Sequence, residues 1–198
     1  MSGLLAAEAD AERDVAPHLA PVADRLGAVT VEIATGAGGG AGVAWAADLV
    51  VTNAHVARTP IVRVRLADEH VVEARVIAAD RRADLALLRL PRAQPAVAEA
   101  GDSDAVSVGA LVAALGHPFG RRRALTAGIV HAIGSVSRDG RRWIHADLRL
   151  APGNSGGPLA DPAGRIVGIN TMIAGGLALA VPINDVRRFV NAARAAPA

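Results

Sequence analysis

Cysteine, lysine and tyrosine are absent from this 198-residue chain, and large aromatics are few. Without cysteine there are no disulfides, so the chain folds without oxidation; that does not fix its compartment. Trp45, Phe119, Trp143 and Phe189 are the only Trp and Phe residues, so a core must be built from Val, Leu, Ile and Ala. Without lysine, all 21 basic residues are arginine. Together with the abundant alanine this points to a GC-rich, bacterial coding bias, which explains the high isoelectric point better than any function does. The net charge of +2 is small. Arg121-Arg122-Arg123 and Arg141-Arg142 are local clusters, but no aromatics interleave with them and no nucleic-acid motif accompanies them. They read as solvated loop charges, and no nucleic-acid partner is expected. No run approaches the roughly 20 apolar residues that span a bilayer. The start, Met1 to Glu8, has no basic region and only a brief apolar stretch, a poor signal peptide. The default expectation is a cytoplasmic protein, or a periplasmic or secreted one if the sequence is a trimmed form.

What is present is concentrated in Gly153-Asn154-Ser155-Gly156-Gly157-Pro158-Leu159. Glycines around a serine allow a tight turn and a close approach by a substrate carbonyl. Such a turn can aim the amides of Gly153 and Ser155, with Asn154 between them, into one hollow beside a hydroxyl. Those are the parts of an oxyanion hole and its nucleophile. A short Gly-x-Ser-x-Gly is weak evidence alone. A nucleophilic serine needs a base, and the base an orienting acid. His55 follows the β-branched run Val50-Val51-Thr52, where a buried strand opens into a turn. Asp84 directly precedes the apolar run Leu85-Ala86-Leu87-Leu88. A carboxylate there is expected to be partly buried and to need a hydrogen-bond donor, which an imidazole N–H supplies. The order His55, Asp84, Ser155 is that of chymotrypsin, unlike the Ser-Asp-His of α/β-hydrolases and the Asp-His-Ser of subtilisin. It points to a double β-barrel protease.

Several stretches carry a specific resemblance. They are Thr52-Asn53-Ala54-His55-Val56, Asp84 to Leu88, Leu115-Gly116-His117-Pro118-Phe119-Gly120, Leu125 to Val130, Pro152 to Leu159, and Val167-Gly168-Ile169-Asn170-Thr171. In this order and spacing, from about residue 21 to about residue 190, the chain resembles the HtrA (high-temperature-requirement) type of trypsin-like serine protease. The resemblance implies His55 as general base, Asp84 as its orienter, Ser155 as nucleophile, and Gly153, Asn154 and Ser155 around the oxyanion. It implies protein or peptide substrates and no metal or organic cofactor, and it raises a homo-oligomer, a trimer by family habit. The chain departs from its relatives in places. Most continue into PDZ domains, whereas this sequence ends about forty residues after the serine. His117 stands where Asn is usual, and Arg149-Leu150-Ala151 where Ala-Ile-Asn is usual.

The implied fold is all-β: two six-stranded antiparallel barrels, the active site in the cleft between them, and a C-terminal helix. Short strands with turn signals between them agree with it. Residues 1–20 are expected to be an N-terminal arm, 21–100 the first barrel, and 101–198 the second barrel with the helix. Val29–Ile33, Gly42–Trp45, Leu49–Thr52, Ile61–Leu66, Val71–Asp80 and Leu85–Leu90 are the expected strands of the first. Those of the second are Leu111–Leu115, Leu125–Ile133, Arg142–Asp147, Gly157–Leu159, Ile166–Met172 and Leu177–Pro182. Gly36 to Gly42 reads as a hairpin turn. Asn184 or Asp185 is expected to cap a helix that packs through Val186, Phe189, Val190 and Ala193.

The specificity pocket is expected between Arg149, Leu150 and Ala151 on one side and Asn170, Thr171, Met172 and Ile173, with Leu177 to Leu179, on the other. No acid lines this inferred pocket, so cleavage is expected after Val, Ala, Leu or Ile rather than after basic residues. Asn154 is neutral where trypsin-type zymogens use an aspartate to bind a new N-terminal ammonium, so no proteolytic activation is expected. The alternative is a catalytically silent protease fold that binds peptides or acts as a chaperone.

Overall fold

Alternation along a few strands determines how the two halves of the chain meet. Leu85 and Leu87 point one way, Ala86 and Leu88 the other, and all four are fully buried. The same holds for Leu49 and Val51 against Val50. A strand with period-two side chains can be buried on both faces only if each face has its own core. Here one face fills the first barrel with Val31, Ile33, Val64 and Leu88. The other joins Leu115, Ile169, Leu179 and Val181 of the second half in a shared cluster. A third cluster, around Val112, Val130, Ile144 and Leu159, fills the second barrel. Each fully buried Leu or Ile contributes about 2 kcal/mol of transfer free energy, and the junction buries such residues as the two interiors do.

The computed structural model describes residues 19–35, 38–118, 123–135 and 140–195. After a helical segment α1 (residues 19–29), six strands follow: β1 (Thr30–Thr35), β2 (Gly38–Ala46), β3 (Leu49–Thr52), β4 (Ile61–Arg65), β5 (Val71–Asp80) and β6 (Leu85–Arg89). They close a barrel in the order β1-β2-β3-β6-β5-β4. The second set is β7 (Leu111–Gly116), β8 (Ala124–Gly134), β9 (Trp143–Asp147), β10 (Pro158–Ala160), β11 (Ile166–Ala174) and β12 (Leu177–Pro182). It closes as β10-β11-β12-β9-β8-β7, the same connectivity repeated. Every strand pairing is antiparallel. The double barrel with its C-terminal helix α2 (Ile183–Ala195) is the fold that the resemblance implied.

Three local expectations change. Gly38 to Gly42 are not a turn but lie in β2, paired with β1. Two of these glycines make room: a Cβ at Gly42 would lie 2.6 Å from Val50 Cγ1, and one at Gly40 2.6 Å from Val56 Cγ1. Gly36, at the start of that expected turn, lies outside the described residues, as does nearly all of the expected N-terminal arm. Helix α1 precedes the first strand, across the boundary drawn between arm and barrel, and it buries Val22 and Leu26 in the shared cluster. Asn184 and Asp185 sit in the first turn of α2 rather than before it. The buried Ser103 hydroxyl, from the segment joining the barrels, accepts the Asn184 amide at 3.1 Å, a cap supplied across the fold.

Candidate active site

His55 sits three residues beyond β3, and Asp84 directly before β6. The register Thr52 to Ala86 between those strands brings the two loops together at the barrel junction. The amides of Val56 and Ala57 both donate to Asn53 O, closing the turn that presents His55. Asp84 has a φ of 52°, the left-handed region that Asp tolerates better than most residues. In that conformation both carboxylate oxygens meet His55. Its Nδ1 lies 2.8 Å from Oδ2, and its backbone N–H donates to Oδ1 at 3.0 Å. The acid side chain is 14 % exposed and the imidazole 40 %. The bonded acid fixes the proton on Nδ1, leaving Nε2 as the free, basic nitrogen.

Ser155 lies in the turn between β9 and β10. Gly153 and Gly156 on either side have φ of 108° and 84°, so the turn needs glycine at both. A Cβ at Gly156 would also collide with Ala41 O and Thr52 Oγ1. The turn is tied to both barrels: Ala41 N donates to Ser155 O at 2.8 Å and Gly156 N to Asn170 O at 2.8 Å. The neighbouring amides of Asn154 and Gly157 are also engaged, by Ala151 O and Asn154 O. The amides of Gly153 and Ser155 have no acceptor among the described residues. Two unengaged donors at a buried glycine turn are what a developing oxyanion requires. Asn154 itself is buried and carries no charge that would need a partner.

The serine hydroxyl donates to Thr171 O at 2.9 Å. Among the described residues no hydrogen bond joins it to His55. The carbonyl of Thr171 is aimed by a register shift between Asn170 and Met172 in β11, a bulge that turns one residue out of the ladder. Sequence reasoning missed what holds this part together. Asn53 is completely buried, and its Nδ2 donates to Asp84 O and to Thr171 Oγ1, each at 2.9 Å. One amide side chain thus links the acid's loop to the strand behind the serine. The signal was present: a polar residue next to a β-branched buried strand.

The expected pocket residues divide. A cleft of about 620 Å³ is lined by Arg149 and Leu150, with Thr126, Ala127, Asp147, Leu148, Ile173 and Gly176. Ala151 is half-buried and Leu177 half-buried, and neither lines it. Met172 is exposed outside it. Asn170, Thr171 and Leu179 are corrections: all three are buried. Asn170 donates to Pro158 O, Thr171 bonds Asn53, and Leu179 packs in the shared cluster because β12 is covered on both faces. Asp147, an acid, also lines this cleft.

His117 packs behind the serine loop, its amide donating to Gly153 O at 3.1 Å. Its side chain is buried, and Nε2 has no partner among the described residues. Desolvation holds its pKa below the ordinary imidazole value, aided by Arg123, while Glu32 opposes the shift. The unfolded chain therefore binds more protons in the window below the ordinary value of about 6.5, and this contribution to stability is lost as pH falls through it. The urea midpoint is expected to drop between about pH 7.5 and about pH 5, and less so in His117→Asn protein. Equal slopes in the two proteins would show that His117 is not the group responsible.

Comparison with known proteins fits this geometry. The family model of the trypsin-like peptidase domain matches residues 40–169, from the second strand of the first barrel to the strand behind the serine. The chain belongs to the trypsin-like peptidase family. Mitochondrial serine protease HTRA2 of Bos taurus is 38% identical to this peptidase domain over 162 residues, 77% of the chain and 35% of that protein. Periplasmic serine endoprotease DegP of Escherichia coli K12 is 34% identical over 165 residues, again 77% of the chain and 35% of that protein. A solved HtrA-type protease, AlgW with a decapeptide, matches with a TM-score of 0.73 and 31% identity, covering 78% of this chain and 51% of that one. The chain thus spans about a third of the length of these curated relatives. Among the described residues no helix is long and apolar enough to cross a membrane.

Proposed function

We propose that this peptidase domain is a serine endopeptidase that cleaves peptide bonds through an acyl-enzyme. The observation that carries the reading is the double engagement of His55 by Asp84, 2.8 Å from Nδ1 and 3.0 Å from the backbone amide. In the proposed reaction, a rotation about the Cα–Cβ bond of Ser155 exchanges Thr171 O for His55 Nε2 as the hydroxyl's acceptor. Catalytic hydrogen bonds are often loose before substrate arrives and tighten in the complex. Ser155 Oγ attacks the scissile carbonyl carbon, and its proton passes to Nε2. Asp84 holds the tautomer and stabilises the imidazolium. The carbonyl oxygen becomes an anion between the Gly153 and Ser155 amides, each such donor contributing about 3 kcal/mol. Collapse of the tetrahedral intermediate expels the amine, which takes the proton from Nε2. Water then repeats the sequence against the ester and frees Ser155.

Flexible or unfolded protein segments are the proposed substrates, since an extended strand must enter the junction between barrels. In the larger cleft the one acid, Asp147, is matched by one base, Arg149, so Leu148, Leu150 and Ile173 are the basis for proposing a small or medium aliphatic residue before the cut. The test is covalent: a fluorophosphonate is expected to label the native chain once, with the adduct mapped by mass spectrometry to Ser155. A chain that binds peptides but never labels is instead a silent peptide-binding module.

A further inference from the structure

A second cleft, of about 400 Å³, opens beside the imidazole and is lined by Ala54, His55, Arg58, Arg81 and Asp84. Its charge is unusual for the space next to a catalytic base. Asp84 spends both oxygens on His55. Asp80, the nearest other acid in sequence, turns Oδ1 back onto the amides of Arg82 and Ala83. Arg58 is fixed by donating Nε to His55 O at 2.7 Å, which leaves its two terminal nitrogens for another acceptor. The Arg81 side chain has no hydrogen-bond or ion-pair partner among the described residues. Both arginines are exposed. Two arginines thus line a cleft whose one carboxylate, Asp84, is already engaged by His55.

We infer that this cleft is a subsite for an acidic side chain, and that the peptidase favours Asp or Glu next to the aliphatic residue at the cut. This rests on the protease reading and narrows its substrate class. The stereochemistry of an extended peptide supplies the link. Successive side chains point to opposite faces, so when the residue at the cut faces Leu150 and Ile173 of the second barrel, its neighbours face the first. There they meet Arg58 and Arg81. A guanidinium binds a carboxylate through two parallel N–H donors, a geometry that a neutral amide cannot match. Because the pair is solvent-exposed, its strength depends on ionic strength.

The test uses Ser155→Ala protein, so that binding is read without turnover, and peptides carrying Glu or Gln just before or just after a central Val. Fluorescence anisotropy is expected to show the Glu peptide on one flank binding about tenfold tighter at low salt, the advantage shrinking above about 0.5 M salt. Arg81→Gln in the same background is expected to remove most of the advantage, Arg81→Lys to restore part of it, and Arg81→Glu to favour a Lys peptide instead. Equal binding of Glu and Gln peptides on both flanks overturns the inference, as does an undiminished preference in Arg81→Gln protein. Failure of fluorophosphonate labelling would overturn the protease reading and leave this binding result standing, so the two outcomes are separable.

Discussion

Alanine at position 155 is expected to lower peptide turnover about 10⁶-fold, the loss typical when a triad nucleophile is removed. The fold should hardly notice. The anchors of the turn are backbone groups: Ser155 O accepts from Ala41 N, and Gly156 N donates to Asn170 O. Only the hydroxyl's bond to Thr171 O disappears, at a partly exposed position, so stability should change by no more than about 1 kcal/mol. The amides of Gly153 and Ser155 also survive, because neither depends on the serine side chain. A residual rate of about 10³-fold over the uncatalysed reaction is therefore expected from oxyanion stabilisation and binding. Rates followed on an unfolded protein such as casein, with unchanged melting of the variant, check both halves. Retained turnover in a purified, correctly folded variant would place the nucleophile elsewhere.

How much of this site was legible in the sequence depends on how local each feature is. The ends of buried strands are local: a β-branched run that stops at Asn53 and an apolar run that starts after Asp84 mark their own boundaries. That is why the strands flanking the junction could be read from Val50–Thr52 and Leu85–Leu88. What could not be read depends on pairing. The bulge that aims Thr171 O exists only because β11 slips against β12 between Asn170 and Met172. Leu179 looks like any pocket leucine until the shared cluster claims it. Gly38 to Gly42 resemble a turn because glycine usually marks one, and the role of Gly40 and Gly42 as space for Val56 and Val50 appears only when β2 lies beside those side chains. Arg58 and Arg81 stand in unrelated stretches of sequence, and the β3–β6 register is what makes them neighbours of one imidazole.

Asparagine in place of Asp84 gives the more discriminating result, an expected loss of about 10⁴-fold in kcat with peptide affinity retained. Asparagine is the natural probe because the position requires a φ of 52°, which Asn adopts as readily as Asp. The backbone oxygen that accepts Asn53 Nδ2 is also unchanged, so the buried link to Thr171 persists. The new side chain has one acceptor and one donor where the carboxylate had two acceptors. The backbone N–H of His55 can only donate, so it claims the amide oxygen in place of Oδ1. The amide NH₂ is then left facing His55 Nδ1 across the former 2.8 Å contact. Two donors cannot face each other, so Nδ1 gives up its proton and becomes the acceptor. The proton moves to Nε2, the nitrogen that receives the serine's proton in the proposed mechanism. The variant therefore folds, binds and presents its hydroxyl, yet holds its base in the wrong tautomer. NMR of the imidazole nitrogens should report a protonated Nε2 in the variant and a protonated Nδ1 in the native protein. A native-like tautomer together with native-like turnover would remove Asp84 from the mechanism.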